Sequence, residues 1–336
     1  MKRLALAFFL AAAGLQAAKS LEVYFIDVEG GQSTLLVTPN GESLLVDAGY
    51  PGNNQRDANR IAAAAKLAGV KKIDYLVISH YHDDHVGGVQ QLTWKMPVLN
   101  YVDHGPNSET GKAADIRFNE YSAFRDKGHH ILAKPGEVLP IKGMEVRVIS
   151  SNGDVIGAPL AGAGKPNPAC QGFAQPPEDK TENGRAVGIL VTFGDFRFLD
   201  LADLSGNHEY DLSCPQTKLP KVDAYLVSHH GNNDASTTPF LAMISPRVAI
   251  SNNGARKGGG VDAWQRVHGI PGLEDLWQLH YAVEGGKDRN TGDSMIANLD
   301  EQCEGKWLKL TAEKDGSFKI FNSRNKYEHG YGGRGK

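Results

Sequence analysis

Four side chains able to hold a metal ion fall close together in this chain: His80, His82, Asp84 and His85, within the run Ser79-His-Tyr-His-Asp-Asp-His-Val-Gly-Gly88. On an extended or turning segment, His80 and His82 can point their imidazoles the same way, while Asp84 and His85 follow at a spacing that admits a second ion alongside. This suggests a two-metal site, and one chemistry open to such a site is hydrolysis. Zinc lowers the pKa of bound water toward neutrality, which supplies a hydroxide, and a second ion clamps the attacking and leaving oxygens. Such a centre needs about six to seven ligands if each ion keeps near-tetrahedral coordination with an open position, so the remaining donors must arrive from elsewhere in the fold. Histidine and aspartate donors also accept manganese or iron, so two zinc ions are the first expectation and Mn2+ or Fe2+ the alternatives.

The pattern around the run predicts the elements that deliver it. Residues 22–28, 34–38 and 43–47 are short apolar runs separated by Gly-Gly and Pro-Asn-Gly turns, which predicts an antiparallel meander. Residues 57–67 place Ile61, Ala64, Ala65 and Leu67 on one helical face, with Gly69 as a stop. Residues 73–79 read as a buried strand that ends at His80, and a helix starting near His85 would carry Val86, Val89 and Leu92 inward. The second half repeats the logic, with strands at 145–150, 186–193 and 196–201, a helix at 208–212, and a strand at 224–228 that ends in His229-His230-Gly231. A segment at 239–244, a strand at 247–251, a helix at 273–280 and a hairpin around Lys314-Asp315-Gly316 complete the reading. Helices and strands alternating in two similar halves predict a four-layer αββα sandwich, with the ligands on loops at the edge where two sheets meet. Residues 152–184 form a connection of Gly, Pro, Ala and Asn, longer than is usual in a compact domain, and read either as a functional lid or as a disordered insertion.

The His-x-His-x-Asp-His run at His80, His82, Asp84 and His85 resembles the signature of the metallo-beta-lactamase superfamily. The resemblance implies the αββα fold and adds site residues. Asp203, in Phe198-Leu-Asp-Leu-Ala-Asp-Leu204, stands where that family places a carboxylate bridging the two metals, with Ala202 where a glycine is common. Asp200 alternates with apolar residues inside the strand and is expected to be structural. His229 and His230 occupy the place of a second-metal ligand. Neighbours on a strand face opposite ways, so one should ligate, His230 by preference, and the other is free to donate a proton or contact substrate. Asp84, His229 and His230 are thus the candidate catalytic residues. Asp47, in Leu44-Leu-Val-Asp-Ala-Gly49, matches the motif whose carboxylate braces the metal loop through hydrogen bonds.

The family's third histidine for the first metal has no clean match. His104, His129 and His130 lie in the interval without ending a strand in the usual context, so surface or packing roles are expected for them. The pattern is closest to the hydrolase-like domain of competence-type DNA-uptake proteins, through Glu182-Asn-Gly-Arg-Ala-Val187 and the later His-His-Gly; there Asn183 falls in the third-histidine region. The resemblance implies a metal-dependent hydrolase acting on a phosphodiester or related ester. The alternatives are a beta-lactam or lactone hydrolase and a non-catalytic, metal-stabilised uptake or binding protein.

Composition narrows the setting. The chain opens Met-Lys-Arg, is apolar through residues 4–15 and has Ala17 and Ala18 at a cleavage-like position, so residues 1–18 read as a signal peptide and 19–336 as the hydrolase domain. An exported protein, periplasmic or secreted, is therefore expected, with no later run apolar enough for a membrane helix. Formal charge is −3 and no dense Lys/Arg run occurs, so no strong nucleic-acid footprint is expected. A small molecule or a phosphodiester is the expected partner. Of three cysteines, Cys170 and Cys214 are the favoured pair, since their bridge would tie down the long loop, which leaves Cys303 over.

Overall fold

In the computed structural model, which describes residues 20–334, the chain lays down two sheets in sequence and then returns to the first. The first receives β1 (Leu21–Phe25), β2 (Thr34–Val37), β3 (Ser43–Val46), β4 (Ile73–Val77), β5 (Val98–Asp103) and β6 (His129–Leu132). The second receives β7 (Val138–Leu139), β8 (Glu145–Ser151), β9 (Asp154–Val155), β10 (Gly188–Phe193), β11 (Phe196–Asp200), β12 (Ala224–Leu226), β13 (Val248–Ser251), β14 (Asp275–His280) and β15 (Ile296–Asn298). The chain closes with β16 (Leu308–Ala312), β17 (Phe318–Asn322) and β18 (Glu328–Tyr331), which add to the free edge of β1, so each sheet has nine strands.

Strand alternation explains why the sheets stack. In β1, Leu21, Val23 and Phe25 enter a core between the sheets, while Tyr24 points into a second core beneath the helices. In β10 and β11, Ile189, Val191, Phe196 and Phe198 face the first sheet, whereas Leu190 and Leu199 face a third core. A strand that contributes to a core on each face is apolar at most positions, as these are. The outer cores are closed by α1 (Arg56–Leu67), α2 (Asp83–Val86), α3 (Val89–Thr93) and α4 (Lys112–Arg125) on one side, and by α5 (Gly206–Ser213), α6 (Thr238–Ile244) and α7 (Val261–His268) on the other. The expected four layers are present. Fully buried side chains such as Ile61 and Phe240 each stabilise this packing by about 1.5–3 kcal/mol.

Connectivity matters most for the site. Strands β3 and β4 run parallel, as do β11 and β12, so their carboxyl ends reach one edge of the sandwich. The two sheets are joined there by the Val187 amide bonding the Ser79 carbonyl at 2.9 Å.

Several expectations need correction. The helix predicted near His85 is two short helices, α2 and α3, broken at Gly87-Gly88, although Val86, Val89 and Leu92 are buried as expected. A side chain at Gly88 would collide with the Ala48 carbonyl, 2.0 Å from where a Cβ would sit, so this glycine lets the His-rich turn lie against the Asp47 turn. Residues 273–280 are not a helix: Asp275–His280 is a strand parallel to β13. A short apolar run fits either element when both of its faces are buried, and the free edge of β13 decided between them. Helix α4 and strands β5 and β6 had no forecast. The 152–184 connection is ordered, carrying β9 and two short 3-10 turns, and the Cys170–Cys214 disulfide secures it as favoured. Asn167 reinforces this by donating to the Ser213 and Pro239 carbonyls at 3.1 and 2.9 Å. The predicted signal peptide lies outside the described residues, among which no helix is long and apolar enough to cross a membrane.

Candidate metal centre

The His-rich run folds as a tight turn beyond β4. His82 caps α2, and the amides of His85 and Val86 both bond its carbonyl, at 3.1 and 3.0 Å, which gathers His82, Asp84 and His85 into one cup. Across the interface, Asp203 follows β11 and His230 follows β12. Asp84, His85, Asp203 and His230 each present a donor atom, and all four lie within 4.8 Å of one another.

The separations are nearly uniform. His85 Nε2 lies 3.2 Å from Asp84 Oδ2 and 3.2 Å from Asp203 Oδ2; His230 Nε2 lies 3.2 Å from Asp84 Oδ2 and 3.2 Å from Asp203 Oδ1; and the two nitrogens are 3.3 Å apart. Donors bound tetrahedrally to one zinc at about 2.0 Å lie about 3.3 Å apart, which matches the triangle of His85 Nε2, His230 Nε2 and Asp84 Oδ2, while Asp203 faces the two nitrogens through its two oxygens. Asp203 Oδ1 is also buried without a hydrogen-bond partner. The four residues could therefore hold a divalent ion.

Electrostatics favour positive charge here. Burial opposes a charge on His85, but Asp203, Asp84 and Asp47 outweigh it and hold its proton well above the ordinary imidazole range. Burial likewise pushes Asp84 and Asp203 upward, and the facing His85 and His230 pull both far below the usual carboxylate range. Asp47 fixes the geometry. Its Oδ1 accepts the Ser79 amide at 2.8 Å, while Oδ2 accepts the Ser79 hydroxyl at 2.6 Å and pairs with His85 Nδ1 at 2.7 Å, which turns His85 Nε2 toward the cluster.

His80 and His82 form a separate pair. His80 Nε2 faces His82 Nδ1 at 3.0 Å, so two ring nitrogens meet as they would around a shared ion. Burial and the neighbouring His85 keep His80 neutral by lowering its pKa well below the ordinary value. The other nitrogen of His82 pairs with Glu109 Oε1 at 3.0 Å. Fully buried Glu182 accepts the Tyr81 amide at 3.1 Å, His104 Nε2 at 2.9 Å and the Ser108 hydroxyl at 2.6 Å, stitching the histidine segment to the loop that carries Glu109.

The His229-His230 step differs from its forecast. Both residues adopt left-handed backbone, with φ of 51° and 53°, in a turn beyond β12, so strand alternation does not separate them. His230 joins the cluster. His229 stands at its rim, with Nε2 3.6 Å from Asp203 Oδ2 and 3.4 Å from the Asn183 amide, and with Nδ1 held by Asp234 at 2.8 Å. Burial lowers the His229 pKa, but the bond to Asp234 and the charge of Asp203 raise it on balance. Asn183 Oδ1 is buried without a partner. Ala202, at φ 50°, occupies a conformation that favours glycine and accepts the His229 amide at 2.9 Å.

Other histidines fall outside. His104, contrary to expectation, directly follows a strand, β5, but its ring serves Glu182; His129 and His130 open β6 and pair with Asn100 and Asp103. Asp200 is structural as expected, bonded by the Gln32 side chain and the Ala202 amide, and burial pushes its carboxyl up to about 7. Sequence reasoning missed Glu109, the Glu182 junction and Lys257, whose ammonium contacts Asp84 Oδ2 and lies 3.0 Å from the Tyr50 hydroxyl. The side chains of His82, His229 and Lys257 are 28%, 16% and 37% exposed, which marks the mouth of the site, since those of His85 and His230 are at 0%.

Two stacked sheets between helices, with histidines and aspartates converging at one edge, define a mixed α/β sandwich that carries a candidate metal centre. The sequence profile of the metallo-beta-lactamase superfamily matches residues 27–163. It is 23% identical over 247 residues to ComE operon protein 3 of Bacillus subtilis (strain 168), an alignment covering 69% of this chain and 28% of that protein. The chain thus spans little more than a quarter of that relative's length. Among solved structures, it is similar to the metallo-beta-lactamase fold protein YhfI of Bacillus subtilis, with TM-score 0.49 and 13% identity over 77% of this chain and 96% of that one. It is also similar to CmlA, a diiron beta-hydroxylase from Streptomyces venezuelae, with TM-score 0.40 and 15% identity over 75% and 47%.

Proposed function

We propose that this chain is an exported hydrolase that uses two divalent ions, zinc in the first instance, to cleave a phosphodiester or related ester. The observation that carries the reading is the 3.2–3.3 Å spacing between the His85 and His230 nitrogens and between each of them and the facing carboxylate oxygens of Asp84 and Asp203, which suits an ion. When bound, divalent ions supply Lewis acidity, which makes water nucleophilic near neutral pH and offsets charge developing on the scissile group.

The chain's own residues have distinct tasks. Asp84, His85 and His230 would hold one ion, His80 and His82 the other, and the Asp203 carboxylate would reach both. Asp47 keeps the His85 Nδ1 proton in place, so that Nε2 is the free donor. His229, steadied by Asp234 and beside Asn183, is placed at the mouth to hand a proton to a leaving oxygen. Lys257 puts a cation at the same mouth, which suits an anionic substrate better than a neutral one. This cation and the motif similarity to competence-type DNA-uptake proteins support a phosphodiester over a beta-lactam or lactone. Export is supported by the residues 1–18 pattern.

The test is a substrate panel of bis-aryl phosphate, single-stranded DNA, lactone and cephalosporin, run on metal-stripped and zinc-reloaded protein. Cleavage of a phosphodiester by the reloaded protein alone is expected. Turnover of the cephalosporin or lactone only would replace the substrate class, and no turnover at all would favour a metal-stabilised binding protein.

A further inference from the structure

A second set of donors converges where β1, α1 and β14 meet the 299–307 connection. Asp27 and Glu29 leave the end of β1, His280 is the last residue of β14, and Cys303 arrives from the connection; their donor atoms all lie within 4.8 Å of one another. His280 Nε2 is 2.8 Å from Asp27 Oδ1, 3.6 Å from Glu29 Oε2 and 3.9 Å from Cys303 Sγ, and that sulfur is 3.1 Å from Asp27 Oδ2 and 3.2 Å from Glu29 Oε1. For zinc bonded to sulfur at 2.3 Å and to nitrogen or oxygen near 2.0 Å, tetrahedral geometry puts these separations at about 3.3–3.6 Å, inside the observed spread. Asp27 and His280 are fully buried, while Glu29 and Cys303 are partly open and give a way in.

Charge completes the case. Arg60 on α1 reaches in, with Nη1 2.8 Å from Asp27 Oδ2 and 3.1 Å from Glu29 Oε1. Two carboxylates and a thiolate carry three negative charges, Arg60 cancels one, and a divalent ion cancels the other two. Without an ion, the sulfur keeps its proton and donates it toward the carboxylates. We propose that Asp27, Glu29, His280 and Cys303 form a thiolate-containing site for a divalent metal ion, zinc by its donor set, separate from the Asp84 centre. Binding forms a metal–sulfur bond and releases the Cys303 thiol proton to solvent. The site would also steady the neighbouring loop: a Cβ at Gly30 would lie 2.9 Å from the Gly254 amide and 3.0 Å from Lys257 Cβ, so the segment carrying Glu29 packs on the one carrying Lys257.

Cobalt(II) titration of the metal-stripped, disulfide-intact protein tests this, because Cys170 and Cys214 are bonded to each other and only Cys303 can give a thiolate-to-cobalt charge-transfer band. The expected band reaches the intensity of a single thiolate–cobalt bond per chain, survives in Asp203→Ala or His230→Ala, and is absent in Cys303→Ser, which also holds one zinc fewer by elemental analysis. His280→Gln, which keeps the thiol, should weaken the band's affinity at least tenfold. A wild-type protein without the band, or Cys303→Ser with wild-type zinc content, overturns the proposal.

Discussion

The two halves of the candidate centre are built differently. Asp84, His85, Asp203 and His230 draw on both sheets, are nearly or fully buried, and are held at uniform spacing with Asp47 behind them. His80 and His82 come from a single turn, and the outer ring is braced by Glu109, whose side chain is 27% exposed. The first arrangement offers a closed set of four donors, and the second offers two and must borrow. A preorganised, desolvated donor set binds more tightly than one assembled at a solvent-facing rim, so the halves should differ in affinity for the same metal.

The largest expected effect is at Asp203, the residue proposed to serve both halves. Asp203→Ala should lower turnover by about a thousandfold or more, the scale of losing a principal charge-stabilising group, and should reduce zinc content below that of any single-half variant. Wild-type turnover would place the shared carboxylate elsewhere. Next, His230→Ala should abolish the tightly held zinc, whereas His82→Ala should leave it and remove only the weaker equivalent; competition with a chelator reads the two apart. Equal losses would mean that the halves are not distinct.

Smaller effects should follow at the bracing carboxylates. Asp47→Asn should weaken the tight site by about 10–100-fold, the usual cost of losing such a partner, and Glu109→Gln should weaken the other by less, because water can replace an exposed hydrogen bond. Reversed magnitudes would invert the comparison.

Titration should give the gentlest change. His85 has a raised pKa, so the stability its proton contributes to metal-free protein is complete below about pH 6.5 and is lost as pH rises through the folded value. Asp84 and Asp203 have depressed values, so their contribution is present above about pH 3.9 and is lost as pH falls through the folded ones. Metal must displace the His85 proton, so zinc affinity should rise by about tenfold per pH unit up to the His85 pKa. Affinity that is flat with pH would show that His85 is already neutral.

What could be foreseen follows the range of each interaction. The His80–His85 run, Asp47 and Asp203 were legible because each ends or follows an apolar strand with its own local pattern, and the αββα order follows from those strands. Glu109, Glu182 and Lys257 were not, because nothing around them in sequence marks a partner that lies 27, 101 or 173 residues away. The 275–280 strand was misread because an apolar hexapeptide buried on both faces carries no period. The His229-His230 step failed for a different reason: strand alternation was applied beyond the strand's end, where φ turns positive.

The joint between Ser79 and Val187 has a wider meaning. His80, His82, Asp84 and His85 belong to one sheet, and Asp203 and His230 to the other. An ion held by donors of both sheets would therefore favour the molecule whose halves have already come together. A chelator should then lower the melting temperature of the whole sandwich as well as its turnover.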